Sequence, residues 1–172
     1  WRKFAEVCHA AKPDFYILGE VWHSSQPWLQ GDQFSAVMNY AYTALIEDGV
    51  VKKDITPTTM ADLLNQQQMR YADQTSEVMF NVLDSHDTPR LLTVCKDDAD
   101  LMRQTEAFTY LQKGPPCVYY GDEVGIDGHD DPDCRKCMVW DPKKQDQEML
   151  HFFQKLIALR QKYADVISKG DT

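Results

Sequence analysis

Val78-Met-Phe-Asn-Val-Leu-Asp-Ser-His86-Asp87 is a short apolar run that ends abruptly in ionisable residues. A continuous apolar run of this length predicts a strand buried on both faces, as in a parallel sheet. The pattern recurs on either side. Phe15-Tyr-Ile-Leu-Gly19 leads into Glu20-Val-Trp22-His23, Phe34-Ser-Ala-Val-Met38 into Asn39-Tyr40, and Pro116-Cys-Val-Tyr-Tyr120 into Gly121-Asp122-Glu123. Each predicted strand therefore delivers polar or aromatic side chains at its carboxyl end, the edge where α/β proteins build their sites.

Helical periodicity fills the intervals. Trp1, Phe4, Ala5, Cys8 and Ala11 share one face of a helix that Pro13 stops, and Ala41–Glu47 is helical up to Gly49. Thr56-Pro57 reads as an N-cap followed by proline at the first helical position, with Met60, Leu63 and Leu64 turned inward. A helix from Asp97/Asp98 to Lys113 places Leu101, Thr105, Phe108 and Leu111 on a face and closes at Gly114. The last, from Asp146 to Lys162, buries Met149, Phe152, Phe153, Leu156, Ile157 and the stem of Arg160. Alternation of this kind predicts an α/β chain with parallel strands and right-handed crossovers, either a small doubly wound domain or half of an eight-stranded barrel. A whole barrel takes about 200 residues or more, and the sequence has 172.

Charge and composition narrow the partners. Eighteen Lys+Arg against 27 Asp+Glu give a net charge of −9, which argues against nucleic acid and anionic lipid as partners. No apolar run approaches the roughly 18 residues of a membrane span, and 43% apolar residues suffice for a core. The five cysteines, an odd number scattered along the chain, predict reduced thiols and a cytoplasmic setting. Cys134 and Cys137, with His129 nearby, raise a metal or redox module as a competing reading, but a zinc site wants a second ligand pair. A flavodoxin-like nucleotide binder lacks a glycine-rich phosphate loop after any strand. The chain opens on Trp1, already inside an apolar pattern, which predicts a piece of a longer protein.

Two carboxylates on separate strand ends, Glu20 and Asp87, with aromatic and imidazole neighbours, suit sugar chemistry: an acid for the leaving oxygen, a second carboxylate for an oxocarbenium-like transition state, rings for pyranose faces. Gly19-Glu20-Val-Trp22-His23, Phe80 to Arg90 and Gly114 to Glu123 resemble, in order, three motifs of the α-amylase family of retaining glycosidases. Pro27 to Tyr40 and Asp131-Pro-Asp-Cys-Arg135-Lys-Cys-Met-Val-Trp140-Asp141 are similar to the neopullulanase, cyclomaltodextrinase and maltogenic amylase group.

The resemblance implies the C-terminal half, about strands 5 to 8, of a (β/α)8 TIM barrel, with residues 1–172 a partial catalytic domain. It also implies hydrolysis of α-1,4-glucosidic bonds in cyclodextrins, pullulan or starch oligosaccharides. Glu20 matches the general acid/base, Asp87 the acid that stabilises the transition state, and His86 a substrate-binding histidine. Trp22 resembles an acceptor-side stacking platform, and Asp131 with Arg135 a pair that holds donor-side sugars. Tyr120, Asp122 and Glu123 fit a structural part in closing the barrel. Asp84 stands where the motif leads one to expect glycine, adding a side chain expected beside the acid site. The family's nucleophilic aspartate has no match here, so the piece is expected to be inactive alone, the alternative being a non-catalytic carbohydrate-binding remnant. No cofactor is implied. Calcium is common in the wider family, but no loop here clusters enough oxygen ligands. Uncovered sheet edges predict association, such as a homo-oligomer pairing two halves.

Overall fold

Two short parallel strands, β1 (Leu18–Gly19) and β2 (Ala36–Val37), pair Leu18 with Ala36 and Gly19 with Val37 in the computed structural model, which describes residues 1–170. Parallel bridges from Met38 to Phe80 and from Asn81 to Pro116 carry the sheet through the third and fourth apolar runs. The four runs thus lie side by side in chain order, as expected. Asp171 and Thr172, the end of the expected 1–172 domain, lie outside the described residues.

The regular strands are shorter than the runs that predict them, and only the inner two runs are buried on both faces. In the first run Ile17 and Gly19 are buried while Phe15, Tyr16 and Leu18 are exposed, the alternation of a strand covered on one side. The fourth run is partly buried over residues 116–119 and exposed at Tyr120. It begins on Pro115-Pro116, which have no N–H to give a ladder, so its link to the third run is Asn81 N–H to the Pro115 carbonyl (3.0 Å) and Cys117 N–H back to Asn81 (2.8 Å).

Helices separate the strands: α1 (Arg2–Ala11), α2 (Tyr40–Ile46, extended by a π turn over Glu47–Val51), α3 (Pro57–Gln68), α4 (Asp73–Ser76), α5 (Leu91–Val94), α6 (Ala99–Tyr110), α7 (Gln147–Lys162) and α8 (Ala164–Lys169). Three of them start where the sequence places them, each with a side-chain cap, of which the one at Thr56 is the cap read from the sequence. The Thr56 hydroxyl accepts Thr59 N–H, Asp98 accepts Asp100 and Leu101, and Asp146 accepts Met149. Two faces differ from expectation. On α6 the buried residues are Met102, Thr105, Glu106, Thr109 and Tyr110, whereas Leu111 is exposed: the face is rotated so that the Tyr110 ring meets Phe153 of α7 at 6.4 Å. On α1 only Ala5 is buried, and Trp1, Phe4 and Val7 remain exposed because the helix meets the small core of Ile17, Phe34 and Ala36 along a narrow strip. Leu63 and Ile157, expected inside, are also exposed, lying beyond the strips where Met60, Met149, Phe153 and Leu156 pack. Arg160 of α7 is placed as its stem predicts and donates to the carbonyls of Tyr110 (2.9 Å), Gln112 (2.6 Å) and Gly114 (2.9 Å), tying the end of α6 to the fourth strand.

One acid sits in the larger core. Glu106 is fully buried with Oε2 unpaired among the described residues, and burial first, then the Asp84 charge, holds its carboxyl well above the ordinary carboxylate range. The native state therefore keeps a proton that the unfolded chain releases above its own pKa, and stability falls as pH rises towards the raised value. Glu106→Gln preserves shape without a titrating group. The variant is expected to melt above the parent at pH 8, the gap closing towards pH 4. Parallel melting curves at every pH would show that folding does not raise the Glu106 carboxyl.

Candidate active site

Glu20 follows β1 directly. A Cβ on Gly19 would overlap the Phe34 ring, so glycine permits the close approach of the two strands that sets Glu20 at the sheet edge. Glu20 is exposed and lines an open groove of about 540 Å³ with Ile17, Trp22, Trp28 and Phe34. His86 and Asp87 lie on the loop after the third strand. Single donor atoms of Glu20, His86 and Asp87 come within 4.8 Å of one another. Residues far apart in sequence thus share one patch, as the strand-end rule predicts.

Asp87 is held from two sides. His86 Nε2 lies 3.2 Å from Asp87 Oδ2, and Arg135 Nη2 donates to Asp87 Oδ1 at 2.8 Å. Arg135 Nε faces Asp131 Oδ1 (3.0 Å) and the His86 carbonyl (2.8 Å), so the expected Asp131–Arg135 pair exists and reaches Asp87 as well. All four charged groups are at least partly exposed, so these pairs fix geometry more than they stabilise the fold.

Trp22 is exposed on one side and stacked on the other against Tyr40, with ring centroids 3.6 Å apart and planes 10° from parallel. The sequence gives Tyr40 no role of its own, its one signal being its place at the end of the second run. Its hydroxyl lies 3.4 Å from Glu20 Oε1 and donates to Ser85 Oγ at 3.2 Å, linking the acid of one strand end to the loop of another. Burial, before any other influence, raises the Tyr40 phenol above its usual value, so it stays a neutral donor.

Beneath the site, Asp84 departs from expectation. Its carboxyl points into the interior, where Oδ2 accepts Leu91 N–H at 2.8 Å, and away from the acid site beside which it was expected. Arg90, fully buried, donates Nη1 to Asp122 Oδ1 (3.1 Å) and to the Tyr120 carbonyl (2.6 Å), and Nε to the Cys134 carbonyl (3.0 Å). Its guanidinium also lies over the Tyr119 and Tyr120 rings at 4.4 and 4.7 Å. Asp122 is thus structural, in keeping with expectation, and Gly121, at φ +96°, makes the left-handed turn that places it.

Glu20, His86 and Asp87 are also the grouping of acids, histidines and cysteines among the described residues close enough to share a cation. A nitrogen donor and a guanidinium already against Asp87 do not suit calcium, which takes oxygen ligands. His129, Cys134 and Cys137 form no such grouping among the described residues: the Cys134 thiol is buried against the His86 carbonyl (3.2 Å), and Cys137 is exposed.

The family model described as alpha amylase, catalytic domain, matches residues 1–170. The chain is 48% identical over 170 residues to an intracellular maltogenic amylase of Bacillus subtilis, covering 99% of the chain and 29% of that protein. It is 50% identical over 164 residues to a cyclomaltodextrinase of a Bacillus species, covering 95% of the chain and 29% of the relative. A solved cyclomaltodextrinase superposes with a TM-score of 0.94 at 49% identity, over 97% of this chain and 29% of that one. The chain spans about 29% of the length of these relatives.

Proposed function

Because the chain belongs to the α-amylase family, with the catalytic-domain model matched along residues 1–170, we propose that it supplies the C-terminal half of a (β/α)8 barrel to a retaining glycosidase that opens α-1,4-glucosidic bonds of cyclodextrins, pullulan or starch oligosaccharides. The observation that carries this reading is the convergence of Glu20, His86 and Asp87 from two strand ends within 4.8 Å.

In this reading Glu20 protonates the leaving glycosidic oxygen and then takes a proton from the attacking water. Its exposure at the groove gives it access to both, and the Tyr40 hydroxyl orients it. Asp87 and His86 hold sugar hydroxyls of the distorted ring, with negative charge placed against the developing oxocarbenium ion. Asp87 is not the nucleophile. In the family's pattern Asp87 takes the stabilising role, so in this reading the carboxylate that bonds to the sugar comes from a part of the barrel outside this chain, and the Arg135 and His86 contacts fix Asp87 in place. The Trp22 face opposite Tyr40 stacks on an acceptor sugar, and Asp131 with Arg135 lines the donor side. Action in the cytoplasm is supported by the relative named as intracellular, and no helix among the described residues is long and apolar enough to cross a membrane.

The test replaces the matching segment of the 50% identical Bacillus cyclomaltodextrinase with this chain and measures ring opening of β-cyclodextrin. The grafted enzyme is expected to open the ring, and the 172-residue chain alone is not. A graft that folds, binds β-cyclodextrin and leaves it intact would replace this reading with that of a carbohydrate-binding remnant. Activity in the chain alone would mean that the nucleophile lies within it.

A further inference from the structure

Asp84 has no place in the mechanism above, yet it is buried, charged by type and only three residues ahead of Asp87. Its Oδ2 accepts Leu91 N–H at 2.8 Å, so one side chain closes the loop that begins at Asp84 and ends where α5 starts. The first N–H groups of a helix have no partner within it, and Arg90, the residue ahead of α5, makes no side-chain cap. Asp84 supplies that cap from seven residues upstream. Its carboxyl also lies against that of Asp122, which pairs with Arg90 at 3.1 Å. Arg90 in turn donates its backbone N–H to Gly128 (2.8 Å) and Nε to Cys134 (3.0 Å), the residue before Arg135.

Within the loop Thr88 Oγ1 accepts Ser85 N–H (2.8 Å) and Ser85 Oγ accepts Asp87 N–H (3.1 Å), while from outside it Tyr40 donates to Ser85 Oγ (3.2 Å) and Arg135 and the Cys134 thiol meet the His86 carbonyl (2.8 and 3.2 Å). From this arrangement we infer that Asp84 is a positioning residue for Asp87 and His86, stapling both ends of their loop to the buried Arg90–Asp122 pair. Glycine at this position would leave Leu91 N–H buried without a partner and the end of the loop at α5 without its tie to the Asp84 carboxyl.

The inference rests on the reading of Asp87 given above, and its test separates the two. In the grafted enzyme, Asp84→Gly is expected to lower kcat for β-cyclodextrin by about tenfold or more with KM within about threefold, because a loosened Asp87 loses contacts that strengthen in the transition state. Asp84→Asn keeps a carbonyl oxygen for Leu91 N–H and offers its amide to the neighbouring Asp122, and is expected to stay within about threefold of the parent in both constants. Hydrogen exchange gives the second readout: the Leu91 amide and residues 85–91 exchange faster in Asp84→Gly, unchanged in Asp84→Asn, while the other core amides hold. Equal damage from glycine and asparagine would overturn the staple, as would unchanged exchange at Leu91. Faster exchange at Leu91 with kcat unaltered would overturn the positioning role. Should Glu20→Gln leave activity intact, the reading of the site fails, whereas exchange at Leu91 still reports on the staple.

Discussion

Glu20→Gln in the grafted enzyme is expected to lower kcat for β-cyclodextrin opening by about 10² to 10⁴-fold, the range that general acid–base catalysis contributes. Glutamine is nearly the same shape and keeps an amide oxygen beside the Tyr40 hydroxyl, which lies 3.4 Å from Glu20 Oε1. What it lacks is a proton to give to the leaving oxygen. Binding of β-cyclodextrin should therefore change by no more than a few-fold, and the loss should shrink for a glycosyl fluoride, whose leaving group needs no proton. Steady-state kinetics on the two substrates, with calorimetry for binding, check this. Equal losses on both substrates would remove Glu20 from the role of proton donor, and activity within threefold of the parent on β-cyclodextrin would remove it from the reaction.

Arg90→Ala carries the largest expected effect on stability, a loss of about 3–5 kcal/mol, because removing one partner of a buried ion pair leaves the other uncompensated. Arg90 and Asp122 are both essentially inaccessible, and Asp84 and Glu106 lie close enough to act on Asp122. Burial first, and then the charge of Asp84, holds the Asp122 carboxyl well above its ordinary range even with Arg90 present. Without the guanidinium the three acids have no cation among them, and the carbonyls of Tyr120 and Cys134 lose their donor. Denaturant titration of the grafted enzyme and its variant measures the difference. A shift under about 1 kcal/mol would mean that Arg90 does not balance a buried charge and that its loss is made good at the Tyr120 and Cys134 carbonyls. The comparison is best made at two pH values, since protonating the acids at low pH should reduce the penalty.

Arg90 also explains why the Asp131–Arg135 pair reaches Asp87. Its Nε holds the Cys134 carbonyl, and the Cys134 thiol meets the His86 carbonyl, so Arg135 starts from a fixed point when it extends to Asp87. An arginine read in sequence as the last letter of a motif acts in the fold as the joint between two loops.

The sequence by itself determined the class and the place of the site. Runs of apolar residues ending in acids and rings carry a period that any local environment must respect, so the four strand ends, the cap at Thr56 and the helix starts at Asp98 and Asp146 are legible in the order of the residues alone. Glu20 and Asp87 can be named because their chemistry is carried by residue type. Only the tertiary structure decided which way side chains turn. The inward aim of Asp84, the stacking of Tyr40 under Trp22 and the rotated face of α6 depend on partners distant in sequence, whose positions no local period encodes. The same is true of Arg90: a cation in a polar loop reads as solvated, and only the neighbouring carboxylate and carbonyls that fold around it make its burial stable.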